Sequence, residues 1–88
     1  MKRPRMELTA TVLDGPDARA LAAFYKQLLG WEIGSDDPDW VVLRSPNGSK
    51  RLSFQTEPDY IRPVWPSNTA NQQMMSHLDI ATEDLTLL

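Results

Sequence analysis

Leu21, Phe24, Tyr25, Leu28 and Leu29 recur at the three- and four-residue spacing of one helix face, an apolar stripe about 100° wide. Arg19, Lys26 and Gln27 fall off that stripe. Gly30 follows where a helix wants a left-handed residue, and Trp31 can pack back over the last turn. The stretch "LAAFYKQLLGWEI" thus predicts an amphipathic helix with a built-in stop, turning at once into a strand.

Around the helix the pattern shortens to period two. "ELTATVL", Glu7 to Leu13, alternates and is rich in β-branched residues, so it predicts a strand. "DGPD" supplies turn chemistry and puts acidic groups at the coming helix N-terminus. "WEIG" predicts a second strand, "SDDPD" a turn, and "WVVLR" a third strand. Asn47-Gly48 is a strong hairpin signal, and "RLSFQ" returns as the fourth strand. From Thr56 to Ser76 no period survives, and Pro58, Pro63 and Pro66 interrupt the chain. Loops of that length in a small domain are functional, linking or disordered. "HLDI", His77 to Ile80, then predicts a strand, and "ATEDLTLL" a turn into a helix.

The reading is therefore an α+β fold with three stretches: a βαβββ module over 1–55, a linker or long loop over 56–76, and an incomplete second module over 77–88. With an offset of 67 residues, "HLDIATEDLTLL" lies over "ATVLDGPDARAL", so Ile80 meets Leu13, Asp84 meets Asp17 and Leu88 meets Leu21. Both copies run strand, polar turn, aspartate, helix start. Only four residues follow Asp84, and a single helical turn is marginal in water. The expectation is one module plus the first strand of another.

Composition narrows the function classes. Eighty-eight residues make one small domain, which buries only about 60–65% of its unfolded surface and gains from an assembly partner. A net charge of −3 argues against nucleic-acid binding, which needs a basic face; the basic start "MKRPR" reads as a frayed terminus. The chain has no cysteine, which excludes disulfides, thiolate zinc sites and cysteine nucleophiles. No apolar run approaches the ~18 residues of a membrane span, and the start lacks a signal-peptide core. A cytoplasmic protein, with neither nucleic acid nor membrane as partner, is the default expectation. No Ser-His-Asp set, phosphate loop or pair of catalytic carboxylates can be assembled from the residues.

The pieces "DARALAAFYKQLLGWEI", "DWVVLRSPNGSKRLSFQ" and "QQMMSHLDIATEDL" resemble the vicinal-oxygen-chelate superfamily, which includes glyoxalase I, bleomycin-resistance proteins and extradiol dioxygenases. The "PDYIRPVWP" segment before "HLD" is similar to a glyoxalase-like subgroup. The resemblance implies a curved mixed sheet covered by one helix, with two βαβββ modules paired into a cup around a small molecule. In metal-dependent members it implies His, Gln and Glu side chains holding one divalent ion (Zn, Ni, Fe or Mn) that polarises vicinal oxygens; other members carry none. One fold of this kind hosts many chemistries.

Carried over residue by residue, His77 matches the metal-ligand position on the first strand of the second module, and its counterpart in the first module is Ala10. The fourth-strand ligand falls at Ser53 or Gln55, of which only Gln55 offers an oxygen donor; the last family ligand falls past Leu88. The expected metal residues are thus His77 and Gln55, against three or four donors in usual sites. Asp79 shares the face of His77, as an ordinary polar residue or as support for the imidazole. Trp40 is expected in the core or lining the cup. Tyr60, Trp65 and Met74 form either a wall for an apolar ligand or anchors that hold the linker on the sheet. Three functions stay open: a metal-dependent lyase, isomerase or dioxygenase; a metal-free module that sequesters a small molecule; and a half-domain stable only as a homodimer, with its last strand swapped between copies.

Overall fold

The structure is a computed structural model that describes residues 3–64, 69, 70, 72 and 76–84. Its elements follow the order β1 (Thr11–Gly15), α1 (Ala18–Leu29), β2 (Glu32–Asp37), β3 (Trp40–Arg44) and β4 (Arg51–Thr56). The sheet runs β1-β4-β3-β2, with β1 parallel to β4 and the other pairs antiparallel. This is the expected α+β βαβββ module.

The helix begins where its sequence allows. Asp17 is extended and its Oδ1 accepts from the N–H groups of Arg19 and Ala20, while the Ala18 N–H donates to Thr56 Oγ1 at 3.0 Å. Backbone donors that the first turn leaves unpaired are thereby satisfied. At the other end Gly30 sits at φ 71°, and its N–H donates to the Lys26 carbonyl. A residue with a Cβ would be strained in that left-handed conformation.

The apolar stripe covers one face of the sheet. Ala18 and Ala22 of α1 meet Val41, Leu43, Leu52 and Phe54, with Leu13, Leu21, Tyr25, Leu29 and Trp31 packed around them. Tyr25 stacks on Phe54 with ring centres 5.5 Å apart. Side chains alternate along a strand. Val12, Asp14, Trp40, Val42, Arg44, Arg51, Ser53 and Gln55 therefore belong to the opposite face, which the helix leaves open.

Element boundaries differ from the sequence reading in ways the partners explain. The first strand starts at Thr11 rather than Glu7, because its ladder with β4 begins at Thr11–Leu52 and β4 itself starts at Arg51. The second strand extends through Asp37, three residues into the stretch expected to turn. Its carboxylates are tolerated because β2 is an exposed edge strand, and Asp36 accepts from Arg19 of α1. Residues 77–80 form no strand and are exposed. A strand needs a neighbour to take its backbone hydrogen bonds, and residues 77–80 are paired with none of the described strands.

The segment after β4 contains no helix or strand among its described residues. The Glu57 N–H donates to the Gly15 carbonyl at 2.8 Å, and the Val64 N–H donates to the Gln72 carbonyl at 2.9 Å. Tyr60, Ile61 and Pro63 lie with Val12, Leu13 and Tyr25 around one cavity beside β1. Leu78 to Ala81 lie across a second cavity from Leu8 to Thr11. The chain thus flanks the β1 edge without pairing to it.

Candidate functional site

The hairpin that joins β3 to β4 fixes the site. Asn47 Oδ1 accepts from the Ser49 N–H and from the hydroxyls of Ser45 and Ser49, and Gly48 adopts φ 73°. With that turn closed, the register places Trp40 opposite Gln55, Val42 opposite Ser53 and Arg44 opposite Arg51. All three pairs project onto the open face. The Ser45 N–H donates to the Lys50 carbonyl and the Thr56 N–H to the Asp39 carbonyl. Those bonds put the open-face pairs at the non-hydrogen-bonded positions of the ladder, where side chains come closest.

A cavity of about 360 Å³ lies on this face, walled by Trp40, Val42, Arg44, Arg51 and Ser53 and bordered by Ala10, Gly34 and Ser35. It combines an indole, an aliphatic surface, a hydroxyl and two guanidinium groups. Gln55 lies next along β4 and donates from Nε2 to Asp14 Oδ1 at 2.7 Å. The face is suited to hold a small molecule that is apolar in part and polar in part.

The expected residues are distributed unevenly. Trp40 and Gln55 lie on the open face. His77 is exposed on the segment after β4, with Nε2 3.6 Å from Asp79 Oδ1, and Asp79 is more exposed still. Tyr60 flanks β1 beside Pro63. Trp65 and Met74 lie outside the described residues. The described contacts of Gln55 and His77 are with different partners, Asp14 and Asp79. Among the described residues no three His, Asp or Glu side chains group as a metal site. The described donors of one copy thus fall short of the three or four protein ligands that a divalent ion usually takes.

Sequence reasoning missed Asp14, Gly34 and the two arginines. A signal for the arginines was present: Arg44 stands three residues before Asn47 and Arg51 three after Gly48, so any tight hairpin at that dipeptide pairs them. Gly34 had no such signal, because the irregularity it occupies in β2 depends on how β2 registers with β3.

Comparison with known proteins agrees with this architecture. A family model described as "Glyoxalase-like domain" matches residues 10–87. The chain belongs to the glyoxalase-like domain family. It falls within the vicinal-oxygen-chelate superfamily. Among solved structures this glyoxalase-like chain is similar to "Oxidase ChaP-H2", with 26% identity and a TM-score of 0.53 over 66% of this chain and 45% of that one. A possible glyoxalase from Bacillus cereus shares the fold at 20% identity and a TM-score of 0.53, over 67% of this chain and 53% of the other. The chain thus spans about half the length of the solved structures it matches. No curated protein matches it. No helix among the described residues is long and apolar enough to cross a membrane.

Proposed function

We propose that this glyoxalase-like chain binds a small molecule on its open sheet face, in a cup that a βαβββ module from a second copy completes. The observation that carries the reading is the face itself: the helix covers one side of the sheet, while Trp40, Val42, Ser53 and Gln55 are gathered on the other. The two sheet edges support the choice of where the second module pairs. The β2 edge carries Glu32, Asp36 and Asp37 and an irregularity between Ile33 and Ser35, features that discourage strand addition. The β1 edge has no such irregularity and one carboxylate, Asp14; the segment after β4 flanks it without pairing, and Leu8 just before it is 94% exposed.

Calorimetric titration with 2-naphthamide, a neutral probe for an apolar face, tests the binding reading. Micromolar to millimolar binding is expected. Trp40→Ala should weaken it about tenfold, the scale of a lost aromatic contact. Equal affinity in that variant would remove the open face from the account.

A second reading, a metal-dependent lyase, isomerase, dioxygenase or oxidase, is favoured by the Gln55–Asp14 pair, which sets two oxygen-bearing side chains side by side on the ligand face. It requires further donors, and His77 of a second copy is the candidate on this sequence. Metal analysis of the purified protein and of His77→Ala decides it: occupancy unchanged in the variant removes His77 as a ligand.

A further inference from the structure

The geometry points to an oxyanion-binding subsite on the open face, formed by Arg44 and Arg51, so that the ligand is a small apolar molecule bearing a carboxylate or a phosphate. The inference rests on the reading of that face as the ligand face and adds the chemical class of what binds there.

Two like charges directly opposite in an antiparallel ladder destabilise the sheet. Arg44 and Arg51 occupy such a pair, at a non-hydrogen-bonded position where Cα atoms approach to about 4.5 Å. A carboxylate close by would offset the repulsion, and two are candidates. Glu32 is in register with Arg44 on β2, and Glu7 borders a shallow cavity with Arg51. Neither makes an ion pair with them. The ion pairs among the described residues are Arg5–Glu7, Arg19–Asp36 and His77–Asp79. Both guanidinium groups are thus left to wall the same cavity as Trp40, Val42 and Ser53.

A second observation concerns where the Arg44 side chain lies. A Cβ added to Gly34 would lie 2.8 Å from Arg44 Nε and 3.2 Å from its Cγ. The arginine stem lies across the β2 backbone in the room that the missing side chain leaves. Guanidinium forks match the oxygens of carboxylate and phosphate, and Arg44 from the β3 side and Arg51 from the β4 side border the one cavity where such a group would sit. Trp40 and Val42 then contact the apolar remainder.

Calorimetry with three naphthalene probes tests this on the intact chain: 2-naphthoate, 1-naphthyl phosphate and 2-naphthamide, at one fixed ionic strength. At least one of the two anions should bind about tenfold or more tighter than the amide, the scale of a charge-assisted contact. The tighter of the two identifies the oxyanion. In Arg44→Gln and Arg51→Gln that preference should vanish while amide binding persists, and Arg51→Lys should keep part of it. Without ligand, Arg51→Gln should melt no lower than the parent, because the substitution removes a repulsion. Anions and amide binding equally to the parent would overturn the inference and leave the binding reading standing. No binding by any probe would overturn both. A preference that survives both glutamine variants would place the anion elsewhere and overturn the inference alone.

Discussion

Asp17 and the Arg19–Asp36 pair show why short polar distances differ in worth. Asp17 Oδ1 accepts from two backbone N–H groups at 3.1 and 3.3 Å, donors that the first helical turn cannot satisfy itself. Arg19 Nε reaches Asp36 Oδ1 at a shorter 2.8 Å, but both side chains are about half exposed and water competes for each. Caps of the first kind contribute about 1 kcal/mol, and exposed ion pairs about 0–1 kcal/mol. Asp17→Ala should therefore lower the urea midpoint by an amount equivalent to about 1 kcal/mol. Asp36→Asn should shift it less, and added salt should shrink that difference further. The opposite ranking would mean that the link between α1 and β2, rather than the cap, holds the helix in place.

At the scale of elements, legibility depended on where the determining contacts lie. Helix α1 was legible from its own period, from Asp17 before it and from Gly30 after it, because all three act locally. Strand β3 and the hairpin were legible for the same reason, since Asn47 and Gly48 close the turn by themselves. The limits of β1 and β2 were not, because a strand ends where its neighbour ends and no residue within it announces that. His77 to Ile80 has a strand's composition but pairs with none of the described strands, so its pattern alone does not make it one here. The site divided along the same line: Trp40 and Gln55 followed from alternation along β3 and β4, whereas the role of Gly34 needed the position of Arg44 on the next strand. Gly34→Ala tests that relation. The new methyl would force Arg44 off the β2 backbone. Binding of whichever naphthalene anion the parent prefers should fall about tenfold or more, with little change for the amide. Equal losses for both probes would show that the glycine serves the sheet and not the arginine.

For the molecule as a whole, the thinness of the core is the informative quantity: among the described residues six apolar side chains are buried, all between the helix and one sheet face. Exposed apolar side chains gather near the β1 edge: Met6 and Leu8 before β1, Val12 within it, and Leu78 and Ile80 on the flanking segment. A second copy that pairs at this edge would cover them and extend the sheet around the open face. Light scattering during size exclusion should then give about twice 10.0 kDa, with a melting temperature that rises with concentration. The double variant Met6→Lys, Leu8→Lys makes the test clean, because those side chains are 79% and 94% exposed and cost a lone chain almost nothing to replace. It should shift the mass toward a single copy and lower the melting temperature together. A parent that stays at one copy at every concentration, and melts where the variant does, would show that the module stands without a partner and that its ligand face works open.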